Sequence, residues 1–176
     1  MLALSEGEMS EMDAPRWVVM GVAGCGKSSV GAALAERLGV RYVEGDRYHS
    51  PENVAKMSAG VPLTDGDRLH WLASLQGEIR EAAQRGEGIV VGCSALKRRY
   101  RDVLREGVRG LHFAHLDGTR ELIAERMNAR VGHYMPLSLL DSQFAALEPL
   151  QPDEAGIVLD IREDVPRLVS RIAPVA

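Results

Sequence analysis

The sequence has few of the features that mark secreted, membrane or nucleic-acid-binding proteins. Only two of its 176 residues are cysteines, Cys25 and Cys93, and two thiols do not make a disulfide framework. No apolar run approaches the roughly 20 residues that cross a bilayer. Lys and Arg number 21 against 25 Asp and Glu, so there is no basic excess for nucleic acid. These absences favour a cytoplasmic globular protein.

The amino-terminal segment and the overall composition predict a single domain. Residues 1–15 contain no Lys or Arg and no continuous apolar core, which is typical of a flexible leader and unlike a secretory signal. Hydrophobic residues make up 45% of the chain and charged residues 26%, which is ordinary for a globular protein. The remaining stretch, 16–176, has a suitable length for one domain with its own core.

Short apolar runs alternate with helical patterns along the chain. The apolar runs predict strands at 17–20, 40–43, 89–91, 111–116 and 157–159. Helical periodicity predicts helices at about 27–38, 66–85, 119–130 and 165–172, with Thr119 able to cap the third. This alternation is typical of a three-layer α/β/α fold with a five-stranded parallel sheet. The segment 131–152 has three prolines and no strong period, which indicates a loop-rich insertion.

The strongest motif lies between the first strand and the first helix. It reads Gly21-Val22-Ala23-Gly24-Cys25-Gly26-Lys27-Ser28, which fits the phosphate-binding pattern G-x-x-x-x-G-K-[ST] at every fixed position. The glycines let consecutive N–H groups turn toward phosphate oxygens, and the helix start adds its positive end. Lys27 is expected to reach the β- and γ-phosphates, and the Ser28 hydroxyl to bind Mg²⁺. The chain is therefore predicted to bind ATP with Mg²⁺.

Polar residues follow the second and third predicted strands, where a parallel sheet places its ligands. Asp46 is positioned to face the phosphate loop and to accept a proton from an attacking hydroxyl, although a turn residue after Gly45 is the alternative. His49 taken alone is more typical of a structural or surface histidine. Lys97 can pair with an anionic substrate, and so can the charged residues at 98–102, although a solvated helix face explains most of those charges.

Two arginines share a face of the helix after the fourth strand. Arg126 and Arg130 are four residues apart and precede the proline-containing segment. This arrangement predicts a lid over about 126–152 that closes on the nucleotide and neutralises the transferring charge. An ordinary charged helix, with Glu121 and Glu125 as partners, explains the pattern equally well.

Three ordered blocks resemble the gluconokinase family. The first is Gly45-Asp46-x-x-His49, followed by Asn53, Lys56-Met57 and Gly60-x-Pro62-Leu63-x-Asp65-x-Asp67-Arg68-x-x-Trp71-Leu72. The second is Cys93-Ser94-Ala95-Leu96-Lys97-Arg98-x-Tyr100-Arg101-Asp102. The third joins His133-Tyr134-Met135 to Ser142-Gln143-Phe144-x-x-Leu147-Glu148. The similarity runs from about residue 17 to residue 162.

The resemblance implies a nucleoside-monophosphate-kinase-like fold and transfer of the γ-phosphoryl of ATP to the 6-hydroxyl of D-gluconate. It implies Mg²⁺ and a homodimer. It also implies that Asp46 meets the attacking hydroxyl, that His49, Arg68 and Lys97 bind gluconate, and that Arg126 and Arg130 act from the lid, with Arg126 at the ATP.

Other readings of the motifs have to be separated from this one. One alternative is a kinase for another small acid such as shikimate, or for a nucleotide; shikimate kinases share the phosphate loop and the Asp that follows it, but not the pattern from Lys56 to Trp71. A nucleotide-dependent switch needs no acceptor site, whereas Asp46 and Lys97 are expected to form one. Cys25 lies at a helix amino terminus, which lowers the pKa of a thiol and predicts sensitivity to oxidants.

Overall fold

A computed structural model describes residues 14–129 and 136–174, and these residues form the predicted parallel sheet. The strands are β1 (Arg16–Met20), β2 (Arg41–Glu44), β3 (Ile89–Gly92), β4 (Leu111–Asp117) and β5 (Gly156–Asp160). Their order is β2-β3-β1-β4-β5, and all neighbours run parallel. All five carboxyl ends therefore meet at one edge, where parallel sheets bind their ligands.

The helices of the described residues begin at local sequence signals. They are α1 (Lys27–Leu38), α2 (Pro51–Ser58), α3 (Asp65–Gln84), α4 (Arg98–Arg105), α5 (Arg120–Ala129), α6 (Leu137–Ala146) and α7 (Val165–Ile172). Thr64 and Asp67 form a reciprocal capping box at the start of α3. The Thr119 hydroxyl accepts a hydrogen bond of 3.2 Å from the Leu122 N–H, which confirms the predicted cap.

The sheet separates two apolar cores. On one face Val19, Val90 and Ala114 pack with α1, α5, α6 and α7. On the other face Val18, Val91 and Phe113 pack with α3 and α4. Successive residues of a strand point to opposite faces, so β1, with Val18 and Val19, contributes to both cores. This is the predicted three-layer α/β/α arrangement.

The structure differs from the sequence-based predictions at helices α6 and α2. Residues 137–146 form helix α6, so the prediction of a loop-rich insertion is wrong there: Leu139 and Leu140 are buried and Phe144 packs against the core. Helix α2 was not predicted, and Ser50 caps it by accepting from the Asn53 N–H at 3.1 Å.

Most of the predicted leader, residues 1–13, lies outside the described residues, as do Arg130 and residues 131–135. In the part of the chain that is described, no helix combines the length and apolarity needed to cross a membrane.

Candidate active site

The phosphate loop joins β1 to α1 with its backbone donors available. Gly24 and Gly26 have φ angles of 76° and 103°, in the left-handed region that glycine tolerates. Among the described residues, no protein acceptor takes the N–H groups of Gly24, Gly26 or residues 27–29. The positive end of α1 points the same way. The loop is therefore an anion cradle of the predicted kind.

The Lys27 ammonium lies against the loop that carries it. Its Nζ donates to the carbonyl oxygens of Gly21 at 3.1 Å and of Val22 at 3.0 Å. Within the described ranges no carboxylate forms an ion pair with it. The positive charge is thus held at the phosphate cradle without being neutralised.

Glu44 is a site residue that received no role in the sequence analysis. Its Oε2 accepts from the Ser28 hydroxyl at 2.5 Å and from the Tyr42 hydroxyl at 3.0 Å. Burial, and then the nearby Glu44 carboxylate, raise the pKa of Tyr42 well above its ordinary value, so Tyr42 stays a donor. A carboxylate and a hydroxyl are hard oxygen ligands, which fit Mg²⁺. No group of three or more acidic, histidine or cysteine side chains suited to a metal occurs in the described residues, and Mg²⁺ in kinases is held largely by phosphate and water.

A cavity of about 580 Å³ opens beside the loop and contains all four predicted substrate residues. Asp46, His49, Arg68 and Lys97 line it together with Lys27. Asp46 is exposed, at the turn that follows β2. The fold therefore brings these four residues together from the turn after β2, from α3 and from the loop after β3.

Arg68 is a buried cation without an anionic partner in this cavity. Only 9% of its surface is exposed, and its Nε has no hydrogen-bond acceptor. The guanidinium carbon lies 5.4 Å from the centre of the Tyr100 ring. Among the described residues no carboxylate forms a salt bridge with it. A buried charge normally requires a partner, so this arginine fits a ligand anion.

His49 is uncharged at neutral pH and is fixed by stacking. Its ring lies 4.1 Å from the ring of Trp71, centre to centre, at an interplanar angle of 19°. Burial lowers the pKa of His49 to about 4, with the positive charge of Arg68 contributing and Asp46 opposing. The Trp71 indole donates to the Gly45 carbonyl at 2.8 Å, which ties this stack to the turn carrying Asp46. His49 can therefore hydrogen-bond to a substrate but does not supply a charge.

Lys97 already has a protein partner. Its Nζ lies 3.2 Å from Asp65 Oδ1. The Tyr100 hydroxyl donates to the same carboxylate, and Arg99 contacts it as well. Asp65 therefore neutralises part of the positive charge of Lys97, which was predicted to pair with an anionic substrate. Arg68 is the stronger candidate for binding an anion.

Arg101 corrects the expectation of a solvated helix face at 98–102. It is fully buried, and its Nε donates to Glu154 Oε1 at 2.7 Å. Burial alone would raise the pKa of Glu154, but hydrogen bonds from Arg101 and Arg105 lower it to about 2. Arg101 also donates to the carbonyls of Ala95 at 2.9 Å and Leu96 at 3.3 Å. It therefore orders the loop that carries Lys97.

Arg126 lies on α5 and does not line the acceptor cavity. A Cβ placed on Gly24 would come within 2.5 Å of Met127, so α5 packs closely on the loop. The Arg126 Nη2 donates to the Ile161 carbonyl at 2.6 Å. Its proposed partner Arg130 is not among the described residues.

The fold and the site define a P-loop kinase, a transferase that binds a nucleotide. Its sheet order, its phosphate loop and the neighbouring acceptor cavity are the parts that such an enzyme requires. The family model described as an AAA domain matches residues 17–150.

Comparison with known proteins identifies the family within the P-loop kinases. The gluconokinase of Gluconobacter oxydans (strain 621H) is 50% identical over 144 residues, which cover 81% of each protein. The thermosensitive gluconokinase of Escherichia coli (strain K12) is 45% identical over 150 residues, covering 85% of this chain and 80% of that protein. A solved gluconokinase of Sinorhizobium meliloti 1021 is 46% identical, with a TM-score of 0.79 over 90% of this chain and 93% of that chain. The chain belongs to the gluconokinase family.

Proposed function

We propose that this protein transfers the γ-phosphoryl group of ATP to the 6-hydroxyl of D-gluconate, giving 6-phospho-D-gluconate and ADP. The observation that carries the proposal is the buried, unpaired Arg68 guanidinium in the cavity next to the phosphate loop. Gluconate is a carboxylate with a chain of hydroxyl groups. Arginine binds a carboxylate through paired N–H donors, and the uncharged His49 suits a hydroxyl.

The residues of the chain divide the work of the reaction. Residues 21–28 hold the phosphates of ATP, and the Lys27 ammonium offsets their charge. Asp46 orients the 6-hydroxyl and takes its proton as the new O–P bond forms and the bond from the γ-phosphorus to the bridging oxygen breaks, releasing ADP. Lys97, held by Asp65, borders the same cavity.

Ser28 and Glu44 are the residues proposed to hold Mg²⁺. The 2.5 Å hydrogen bond between them keeps two oxygen ligands adjacent, at the carboxyl end of β2 and the start of α1. Mg²⁺ supplies positive charge to the phosphoryl oxygens when it is bound.

The proposal includes three further features, of which the first two draw on the family resemblance and the third rests on the composition of the chain. The first is one kinase domain over 16–176 with the lid predicted at about 126–152, in which Arg126 and Arg130 are cations near the ATP; α6 lies within those bounds but packs against the core, so it does not move with the lid. The second is a homodimer, which light scattering on the eluting protein would detect. The third is a cytoplasmic location.

The test is an assay of ADP release by the purified protein with Mg²⁺ and ATP. Gluconate, shikimate, glycerate and nucleoside monophosphates are supplied in turn, and the product is identified by phosphorus NMR. We expect turnover with gluconate alone and a phosphate ester at C6. Turnover with another acceptor but none with gluconate would reject the proposal, and nucleotide binding without turnover would indicate a switch.

A further inference from the structure

Gln143 connects helix α6 to the phosphate loop. Its side-chain Oε1 accepts a hydrogen bond of 2.6 Å from the Ala23 N–H. Both residues line the acceptor cavity. Because a backbone N–H can only donate, the bond fixes the orientation of the Gln143 amide, with its oxygen toward the loop.

The Ala23 N–H belongs to the same peptide unit as the Val22 carbonyl. That carbonyl accepts from Lys27 Nζ at 3.0 Å and from the Cys25 N–H at 3.3 Å. The N–H and C=O of a trans peptide are rigidly coplanar and point in opposite directions. Gln143 on one side and Lys27 on the other therefore hold one peptide plane between them.

This contact leaves the phosphate cradle open. In the described part of the chain, the N–H groups of Gly24, Gly26 and residues 27–29 have no protein acceptor, and they follow the residue that Gln143 holds. Gln143 thus does not compete with a nucleotide for those donors. It stabilises the shoulder of the loop while the remaining N–H groups stay available for phosphate.

Helix α6 is itself anchored at several points, so Gln143 acts from a fixed position. Asp141 accepts from Arg120 of α5, with Nη2 to Oδ2 at 3.1 Å. At the other end, the Glu148 N–H donates to the Leu96 carbonyl at 2.7 Å. The Glu148 Oε1 accepts from the Arg98 N–H at 2.9 Å. The helix therefore links the phosphate loop to the segment after β3 that carries Lys97.

We infer that Gln143 is a positioning residue for phosphoryl transfer: it orients the Val22–Ala23 peptide and, through the Val22 carbonyl, the Lys27 ammonium. Without this acceptor the peptide can rotate, and the ammonium loses one of its two carbonyl partners. The effect on turnover rests on the proposed function. The effect on the conformation of the phosphate loop does not depend on that function.

The test compares Gln143→Met, which keeps the length of the side chain but removes the acceptor, with Ala145→Ser. Ala145 is an exposed residue of the same helix, outside the cavity. Without ligands, the amide proton resonance of Ala23 should move upfield in Gln143→Met and stay in place in the control. Affinity for ATP should fall more than affinity for ADP, since Lys27 reaches the γ-phosphate. The kcat with gluconate should fall about tenfold, the upper range for one hydrogen bond.

An unchanged Ala23 resonance, or a kcat within twofold of the Ala145→Ser control, would overturn the inference. An equal loss of affinity for ATP and ADP, together with a lowered unfolding temperature, would also overturn it, since that pattern indicates a general structural role. If the wild-type protein does not use gluconate, the proposed function fails. The resonance and the two nucleotide affinities then still decide the role of Gln143.

Discussion

Two of the buried arginines, Arg68 and Arg101, are expected to respond in opposite ways to the same substitution. Arg68 is 9% exposed and has no carboxylate partner among the described residues, whereas Arg101 is fully buried and paired with Glu154. Methionine can fill either site because it is long, unbranched and apolar. The substitution therefore removes the charge while keeping much of the volume.

Arg68→Met removes a desolvated charge and leaves no carboxylate unpaired. We expect the midpoint of thermal unfolding without ligands to stay the same or to rise. The same change removes the proposed charge-assisted hydrogen bond to gluconate, and such a bond contributes about 1.5–3 kcal/mol. The KM for gluconate should therefore rise about 10- to 150-fold. Arg68→Lys keeps the charge but not the paired donors, so its KM for gluconate should lie between the values of the wild type and of Arg68→Met.

Arg101→Met leaves the Glu154 carboxylate buried with only part of its hydrogen bonding. Breaking a buried pair costs about 3–5 kcal/mol. We expect the lower end, about 3 kcal/mol, because Arg105 also contacts Glu154. At about 2–4 °C per kcal/mol for a chain of this size, the unfolding midpoint should fall by about 6–12 °C.

Circular dichroism on heating gives the midpoints, and a coupled ADP assay at varied gluconate gives the KM. A loss of stability in Arg68→Met as large as that in Arg101→Met would show that the burial of Arg68 is compensated within the protein. A KM for gluconate within twofold of the wild-type value would show that Arg68 does not bind the carboxylate. Either result refutes the reasoning from the unpaired guanidinium.

Three further predictions concern Asp46, His49 and Cys25. Asp46→Asn should bind ATP normally and lose about 10²–10⁴-fold in kcat, by calorimetry and the ADP assay; near-normal turnover would exclude a proton acceptor there. Because burial lowers the pKa of His49 from 6.5 to about 4, the unfolded chain binds the proton more tightly, and stability should fall as pH drops from about 6.5 to 4. In His49→Gln, urea unfolding should show a flatter dependence over that range, and parallel curves would contradict the assignment. Cys25 is 2% exposed, so peroxide should leave the turnover rate unchanged, contrary to the expectation from its helix position; inactivation reversed by a thiol would revive that expectation.

Much of the fold could be predicted because its signals are local. Runs such as 89–91 are apolar throughout, which is typical of a strand covered on both faces, and β3 is buried along its length. The phosphate loop could be predicted in the same way, since the glycines, lysine and serine are contiguous. The positions of Asp46 and Lys97 followed from the rule that parallel strands end at one edge.

The features that were missed depend on partners distant in the sequence. The sequence did not indicate that Arg101 is buried, because its partner, Glu154, lies 53 positions away and no pattern joins them. Helix α6 has Pro136 before it and Pro149 after it, and those prolines concealed an apolar face formed by Leu139 and Leu140. The sequence did not indicate a role for Glu44, because its contact with Ser28 joins the end of β2 to the start of α1.

The stack of Trp71 on His49 gives the acceptor cavity an intrinsic optical signal. The chain has two tryptophans, and Trp71 is buried at 1% exposure, with its ring 4.1 Å from the imidazole. Indole emission responds to a charged or displaced neighbour, so a sugar acid entering the cavity should change the fluorescence of Trp71. The second tryptophan, Trp17, lies 5.1 Å from His112 on the sheet, and Trp17→Phe would isolate the signal. The occupancy of the acceptor cavity would then be measured from the fluorescence of Trp71, without labels and without turnover.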